Sequence, residues 1–326
     1  MTAPALEVRA LALSVGDRHR RWRVGDRVSF AVEAGRSLGI VGESGSGKSL
    51  TLRGVMALTP AAIRIDGGTV ALAGEELPLH GRRTRAARRG RLAMIFQDPL
   101  SALDPVHPAG VQVAEIARRV GGRSHRAAWV RAIELLDLVG IREAARRAHD
   151  YPHQLSGGMR QRVMIAMALA SEPAVLLCDE PTTALDVTVQ AQVLDLLDSL
   201  RAELRLALVF VSHDLAVVRS ICEEIAVMYA GRFVETGPTA ALLEHPRHPY
   251  TLGLRQAVVD VDDAGRAPRS IPGELPEPGR LPPGCPFNPR CAYADDACRH
   301  GTIELESHGE VGRAVACLHS DRVPAP

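Results

Sequence analysis

The sequence has almost no lysine. It holds 39 lysine and arginine residues in a chain of 326, and Lys48 is the single lysine among them. The two side chains differ in chemistry, because arginine carries a planar five-donor fork and lysine a compact ammonium on a flexible stem. Since arginine occupies every other cationic position, the one remaining lysine indicates a site where a guanidinium will not serve.

Other shortages exclude whole classes of protein. A net charge of +1 gives no electrostatic reason to expect a nucleic-acid partner, which normally requires a strongly basic domain. No apolar run approaches the ~18 residues needed to cross a bilayer. The N-terminal residues 1–5 lack the basic region and hydrophobic core of a secretion signal. We therefore expect a globular chain on the cytoplasmic side, large enough for one large or two modest domains.

Lys48 lies in a glycine-rich run that fits the P-loop pattern G-x-x-x-x-G-K-[ST] at every position. Residues 37–41 have the pattern of a strand and residues 50–56 that of a helix, whereas a purely structural glycine turn would not need both. A glycine-rich loop that opens a helix points its N–H groups at phosphate oxygens, and Ser49 would add a hydroxyl ligand for Mg²⁺. The predicted nucleotide-binding residues here are Gly42, Glu43, Ser44, Gly45, Ser46, Gly47, Lys48, Ser49 and Leu50.

Two acidic residues fit the same chemistry. Residues 174–178 form a continuous apolar run typical of a buried parallel strand, and Asp179 and Glu180 follow it. At the carboxyl end of such a strand, one carboxylate can hold Mg²⁺ through water, while the next can polarise an attacking water. Alone, the pair is equally compatible with a surface turn; together with the glycine-rich run it predicts a catalytic site.

The hydrophobic pattern divides the chain. Residues 6–80 contain short alternating runs that predict strands of a mixed sheet, and residues 110–170 have a helical period. Strand and helix patterns then alternate again, with a helix over 189–204 and an apolar strand at 207–211. Beyond about residue 240 the chain is rich in proline and holds four of the six cysteines, which indicates a small appended module.

Six motifs in a fixed order resemble those of ATP-binding cassette (ABC) ATPases. Besides the P-loop and the acidic strand end, they are a glutamine loop at residues 96–99, a signature motif at 155–162, a D-loop at 182–186 and a switch histidine at 211–214. Longer strings resemble the ATPase subunits of bacterial dipeptide and oligopeptide importers; they are Gln97-Asp98-Pro99 with Leu103-Asp104-Pro105, Tyr151-Pro152-His153-Gln154, Asp186-Val187-Thr188-Val189-Gln190 and His248-Pro249-Tyr250-Thr251.

The resemblance implies an α/β fold. It would comprise a P-loop NTPase core of the ABC type, an antiparallel β subdomain and a helical subdomain inserted at about residues 98–170. The nucleotide-binding domain would span residues 1–240. Residues 241–326 would form a C-terminal extension of the oligopeptide-transporter type with a cysteine cluster.

The resemblance also implies the roles of single residues. Glu180 would direct the attacking water, and His213 would contact the terminal phosphate of ATP. Gln97 would touch both Mg²⁺ and the water, so that Ser49, Gln97 and Asp179 together would hold the metal. Lys48 would neutralise phosphate charge during hydrolysis, and Asp186 would be the D-loop aspartate.

The signature motif implies a partner. Its residues precede a helix, predicted here from Arg162 to Ala170, and so form an anion site that lacks a phosphate of its own. In the family, this motif closes over ATP held by a second ATPase subunit, which is identical or related. The signature residues are Leu155, Ser156, Gly157, Gly158 and Met159, where methionine replaces the glutamine most common in the superfamily. The other implied partners are two transmembrane permeases and, indirectly, an extracytoplasmic substrate-binding protein, which would place the chain on the cytoplasmic face of the membrane.

Trp22 is the candidate for stacking on adenine. It precedes the strand predicted at residues 28–32, where the family usually offers an aromatic ring. Neighbouring arginines at positions 18, 20, 21 and 23 fit equally well with a partly exposed loop tryptophan.

The four cysteines of the C-terminal module form a candidate metal site. Disulfides are not expected in a reducing cytosol, and the spacing is looser than in zinc knuckles, which favours a [4Fe-4S] cluster. Zinc, or no metal at all, stays open. The candidate ligands follow the pattern C-x5-C-x6-C-x18-C and are Cys285, Cys291, Cys298 and Cys317.

Other functions fit the sequence less well. A chromosome or DNA-repair ATPase of the superfamily would need a long heptad insertion between Gln97 and the signature motif, and the chain has only short helical patterns there. A translation-associated protein would normally carry two cassettes, and there is only one lysine-bearing P-loop. Importers of nickel or other small solutes use closely similar ATPases, so the sequence leaves the cargo open.

Overall fold

The structure is a computed structural model that describes residues 3–17, 20–183, 185–257, 270–309 and 312–324. The chain folds into two compact units, each built from separated stretches of sequence. Unit 1 comprises residues 1–6, 32–36 and 72–209, and unit 2 comprises residues 7–31, 37–71 and 210–326.

The described residues form both strands and α-helices. The strands are β1 (Leu6–Gly16), β2 (Arg21–Val32), β3 (Ser37–Val41), β4 (Ile63–Leu72), β5 (Glu75–Leu77), β6 (Leu92–Ile95), β7 (Val175–Asp179), β8 (Ala207–Ser212), β9 (Glu224–Tyr229), β10 (Arg232–Pro238), β11 (Glu306–Ser307) and β12 (Ala314–Val315). The α-helices are α1 (Lys48–Met56), α2 (Thr84–Arg88), α3 (Pro99–Ala102), α4 (Ala109–Arg119), α5 (His125–Leu138), α6 (Ala144–Arg147), α7 (Gly157–Leu169), α8 (Val187–Leu204), α9 (Leu215–Ile221), α10 (Thr239–Glu244) and α11 (Pro249–Ala257).

Unit 2 is built on a mixed sheet with the strand order β11-β12-β10-β9-β3-β8. Strand β3 runs parallel to β9, with Leu38 opposite Glu224 and Val41 opposite Val227. All five residues of β3 are buried. A strand covered on both faces needs an uninterrupted apolar sequence, which explains why the residues before the P-loop do not alternate. Strands β2, β1 and β4 form part of a second sheet in that order.

Unit 1 combines a short parallel sheet with a group of helices. Strand β6 pairs in parallel with β7, and β7 neighbours β8, whose first three residues belong to this unit. Helix α4 packs on α5, and both contact α7. The period change predicted over residues 110–170 therefore corresponds to packed helices.

Three helices begin earlier than the sequence pattern predicted. Helix α1 starts at Lys48, not at Leu50. The other two, α7 and α8, have a side-chain cap. Helix α7 starts at Gly157, not at Arg162, because the Oγ of Ser156 accepts the backbone N–H of Met159. Helix α8 starts at Val187, not at Val189, because Asp186 caps it in the same way. In both cases the N-cap side chain sets the first turn, although the apolar period begins later.

The two units interleave along the chain, and the division into residues 1–240 and 241–326 stays a prediction. Among the described residues, no helix is both long and apolar enough to cross a membrane.

Candidate nucleotide site

The P-loop connects β3 to α1 in unit 2. Gly47 is the N-cap of α1 and has a φ of 107°, a left-handed backbone that favours glycine. No side chain caps this helix start, and a helix N-terminus of this kind suits an anion. A Cβ at Gly42 would lie 2.2 Å from the carbonyl oxygen of Met228, and only glycine fits there.

Lys48 is held inside this loop. The residue is only 4% exposed, and its Nζ donates to the carbonyl oxygens of Gly42 at 2.8 Å and Glu43 at 3.0 Å. The loop thus folds around its own ammonium group. This geometry fits a lysine, because a guanidinium is larger and planar.

Glu43 of the P-loop has two partners from the C-terminal part of unit 2. Its carboxylate accepts two hydrogen bonds from the guanidinium of Arg290, at 2.7 and 2.9 Å. Its backbone N–H donates to the hydroxyl oxygen of Tyr250 at 2.7 Å. The hydrogen bonds to Glu43 raise the pKa of Arg290 above its usual value, and burial raises the pKa of Tyr250. Both partners therefore keep their protons.

Trp22 lies in β2 and is half-buried. The guanidinium carbon of Arg20 lies 5.2 Å from the centre of the indole ring. On the ring's pyrrole side, a Cβ added to Gly279 would come within 2.1 Å of Cδ1 and Nε1. The tryptophan predicted to stack on adenine therefore touches the C-terminal part of the chain. Of the arginines near it in sequence, Arg18 lies outside the described residues.

In unit 1, the structure brings Gln97 and Glu180 together. The Nε2 of Gln97 donates to the Oε2 of Glu180 at 3.4 Å, and the hydroxyl of Thr183 donates to the same oxygen at 3.0 Å. Glu180 has a φ of 47°, which is unusual for a residue other than glycine. Strained backbone of this kind concentrates at functional sites. Asp179, the last residue of β7, is buried beside it in sequence.

The signature residues form the start of α7. Ser156 and Gly157 are exposed, while Leu155 is buried beneath them. A Cβ at Gly158 would lie 2.7 Å from Cγ1 of Val189, so this glycine allows α7 to approach α8 closely. Met159 follows in the first turn, where its N–H is already bound to Ser156.

The remaining predicted residues have defined local positions. Asp186 caps α8 through its Oδ1, which accepts the N–H of Val189 at 3.0 Å. His213 is exposed directly after β8, and Asp214 beside it caps α9. An exposed histidine held between a strand end and a capped helix is accessible to a ligand.

The four C-terminal cysteines line one small cavity, together with His248 and His319. None of the four forms a disulfide, and burial raises the pKa of Cys317 to about 11 and shifts those of Cys285 and Cys291 in the same direction. A tighter group also exists here, because ligand atoms of Asp295, Cys298 and His319 lie within 4.8 Å of one another. The sequence analysis did not predict that Asp295 and His319 would lie near the cysteines. Thiol, imidazole and carboxylate groups around one cavity could hold a metal ion, and a metal centre here stays a prediction.

Sequence reasoning also missed Tyr250 and Arg290. Arg290 lies 247 residues from Glu43, and Tyr250 lies 207 residues from it. Tyr250 belongs to the string His248-Pro249-Tyr250-Thr251, which served as a family marker without a role. Its full burial next to a P-loop amide gives it one.

Comparison with known proteins supports the family predicted from the motifs. The family model "ABC transporter" matches residues 26–183, and the model "Oligopeptide/dipeptide transporter, C-terminal region" matches residues 234–298. A "Putative peptide import ATP-binding protein" of Brucella abortus (strain 2308) is 48% identical over 97% of this chain and 95% of its own length. A protein of Brucella melitensis biotype 1 with the same description is 44% identical, over 93% and 94% of the two chains.

A solved structure extends the similarity to the fold. The ATP-binding cassette MJ0796, in a dimeric post-hydrolysis state bound to ADP and Pi, superposes with a TM-score of 0.63 at 28% identity. The match covers 72% of this chain and 98% of that one. The fold is therefore that of an α/β ABC ATPase, and the chain belongs to the ABC transporter family, among the peptide import ATP-binding proteins.

Proposed function

We propose that this chain hydrolyses ATP to energise the import of dipeptides or oligopeptides across the cytoplasmic membrane. The observation that carries the proposal is the P-loop, which is folded around the only lysine of the chain and opens an uncapped helix start. Membership of the peptide import family supplies the coupling to transport. An importer of nickel or another small solute is the alternative, because this chain need not contact the cargo.

Each predicted residue has a chemical role in this proposal. The P-loop amides and Lys48 would bind the phosphates, and Ser49, Asp179 and Gln97 would hold Mg²⁺, directly or through water. Glu180 polarises the attacking water, and its strained backbone and two hydrogen-bond donors fix the carboxylate in one orientation. His213 stabilises charge that develops on the terminal phosphate. Trp22 packs against the adenine ring.

The exposed signature residues need a partner. Ser156 and Gly157 present a hydroxyl and N–H groups at a helix start without a lysine, so we propose that they contact ATP bound to a second ATPase subunit. The family also implies two permeases that anchor the pair to the cytoplasmic face of the membrane. An extracytoplasmic substrate-binding protein would deliver the peptide to them.

A labelling experiment tests nucleotide binding directly. Because the chain has one lysine, an amine-specific acylating reagent can modify only Lys48 and the α-amine at the start of the chain. Mg·ATP should slow the modification of Lys48 and leave that of the α-amine unchanged, as read by mass spectrometry of the two peptides. Equal labelling of Lys48 with and without millimolar ATP would contradict the proposed binding site.

A second experiment tests the coupling and the cargo. The chain is purified from membranes with its permeases, and ATP hydrolysis is measured with the binding protein and a panel of peptides or nickel. Stimulation by peptides is expected. Stimulation by nickel alone would favour the alternative, and hydrolysis indifferent to every cargo would argue against a role in import.

For the C-terminal module, we propose a metal centre held by the cysteines, with a [4Fe-4S] cluster favoured and zinc as the alternative. Support comes from the single cavity that the four thiols share. Anaerobic purification should give broad brown absorbance with iron and sulfide. Cys291→Ser should remove it, whereas Cys222→Ala, at a cysteine outside this module, should not. A colourless protein containing zinc would replace the cluster, and a metal-free protein would end the proposal.

A further inference from the structure

We propose that residues 271–290, here called the C-terminal strap, are part of the ATP site, and that Arg290 is a positioning residue for the P-loop. The inference rests on the proposed ATP binding and extends it, because none of the six motifs predicted for the nucleotide site lies in this segment. Three contacts carry it: Arg290 with Glu43, Gly279 with Trp22, and Leu275 with Gly45.

The contact between Arg290 and Glu43 is partly buried and is supported by several neighbouring groups. The side chain of Arg290 is 5% exposed, and its guanidinium meets the carboxylate through two hydrogen bonds, a geometry that lysine cannot reproduce. Its Nε also donates to the carbonyl oxygen of Pro272 at 2.8 Å. The rings of Tyr229 and Phe287 flank it, each with a centre 5.8 Å from the guanidinium carbon. Contacts other than the one to the P-loop therefore also hold Arg290 in place.

Glu43 transmits this fixation to the lysine. Its carboxylate is held by Arg290 and its N–H by Tyr250, while its carbonyl oxygen accepts from the Nζ of Lys48. Side chain, amide and carbonyl of one residue are thus all engaged. The strap and α11 hold the first turn of the P-loop in the form that surrounds Lys48.

Arg290 also neutralises the negative charge of Glu43 in the P-loop. The carboxylate of Glu43 belongs to a loop that binds a highly anionic triphosphate, and an unpaired carboxylate there would repel it. With Arg290 in place, the pair has no net charge. Loss of the arginine should therefore weaken ATP binding by repulsion as well as by loosening the loop.

Two further strap residues reach the same site. Gly279, with a φ of 88°, lies so close to Trp22 that an added Cβ would come within 2.1 Å of the indole. A Cβ at Gly45 would lie 3.4 Å from a methyl group of Leu275. The strap thus contacts both the phosphate end and the predicted adenine end of the site.

The test measures the Kd for Mg·ATP by calorimetry for the full chain. We expect Arg290→Ala to raise the Kd about tenfold or more, the range for a charge-assisted bidentate contact, and Arg290→Lys to raise it less. Arg299→Ala is the matched control, because Arg299 lies in the C-terminal module outside the strap, is 58% exposed and pairs with Asp296. It should leave the Kd unchanged.

A double-mutant cycle separates positioning from mere stability. Adding Glu43→Gln to Arg290→Ala removes the repelling carboxylate and should restore part of the affinity, whereas a purely structural arginine would show no such rescue. In a Trp129→Phe background, Trp22 is the only tryptophan, and its fluorescence change on ATP binding should be smaller in Arg290→Ala.

The outcomes distinguish this inference from the proposed function. If the wild-type chain does not bind ATP, the proposed function fails. If the wild type binds and Arg290→Ala binds within twofold of it, the role of the strap is refuted. If Arg290→Ala does not fold, the cycle is built on Arg290→Lys and Glu43→Gln, and additive changes in Kd would refute the role equally.

Discussion

Two glycine-rich helix starts in this chain look alike in sequence and differ in construction. The P-loop opens α1 with no side-chain cap and encloses Lys48, which is almost fully buried. The signature motif opens α7 with Ser156 as its N-cap, and Ser156 and Gly157 are exposed. The P-loop combines a helix N-terminus with a buried cation. The signature motif exposes only hydroxyl and N–H groups.

The difference explains a division of labour. A helix start binds anions modestly on its own, and a buried ammonium adds the charge needed to hold a triphosphate. The P-loop has both, and in our proposal it binds ATP without a partner. The signature motif has only the first, and therefore suits phosphate that another subunit already holds. The predictions below test whether the two starts separate in this way.

The largest expected effect is the loss of Lys48. Lys48→Ala should weaken ATP binding at least about 100-fold, because the phosphates lose a desolvated charge partner. Lys48→Arg should fail nearly as badly, since the enclosed loop has no room for a planar guanidinium. Calorimetric titration with Mg·ATP measures both, with Arg64→Ala as an exposed control. Normal binding by Lys48→Arg would show that the rarity of lysine in this chain has no functional meaning.

Glu180→Gln should separate binding from turnover. The amide cannot polarise water, so hydrolysis should fall by about 10²–10⁴-fold while the Kd for ATP changes little. The rate is measured in the assembled transporter, where both helix starts are engaged. Thr183→Ala, which removes one hydrogen bond to the same oxygen, should have a much milder effect. Unchanged hydrolysis in Glu180→Gln would exclude this residue as the catalytic base.

Gly158→Ala tests the signature motif. The added methyl would meet Cγ1 of Val189 at 2.7 Å, and overpacking of this kind costs about 1–3 kcal/mol of stability. Val189→Ala should relieve the clash and recover the thermal stability of the double variant. If the chain's own ATP binding stays normal in all three variants while transporter hydrolysis recovers only with stability, Gly158 has a packing role alone. Hydrolysis that stays low after stability returns would assign it a role toward the partner's nucleotide.

The sequence predicts what is local and misses what is distant. The strand before the P-loop matches β3 at both ends, and the acidic pair lies at the carboxyl end of β7, because each depends on a few adjacent residues. The start of α7 at Gly157 was missed, although a serine before a helical pattern is a recognised N-cap signal. The partners of Glu43 lie more than two hundred residues away, and no local pattern connects them.

Buried charges show the same limit. Arg313 and Glu235 form an ion pair in which both side chains are almost completely buried, 78 residues apart in the sequence. Charged residues usually lie at the protein surface, so no sequence pattern predicted that these two are buried. Long-range pairs of this kind depend on the packing of the whole C-terminal region, and only the structure identifies them.

The smallest expected effect concerns the cap of α7. Ser156→Ala removes the hydrogen bond to the N–H of Met159 and should destabilise the chain by about 1 kcal/mol, measured by thermal unfolding. Ser156→Thr keeps a capping hydroxyl and should cost less. Gly47, the N-cap of α1, has no side chain, so this helix start has no such hydrogen bond to lose. If Ser156→Thr retains the stability but not the hydrolysis of the assembled transporter, the serine serves the partner's nucleotide in addition to its own helix. If stability and hydrolysis are both lost in Ser156→Ala and both kept in Ser156→Thr, Ser156 acts only as a helix cap. Lys48 would then be the only functional difference between the two helix N-termini.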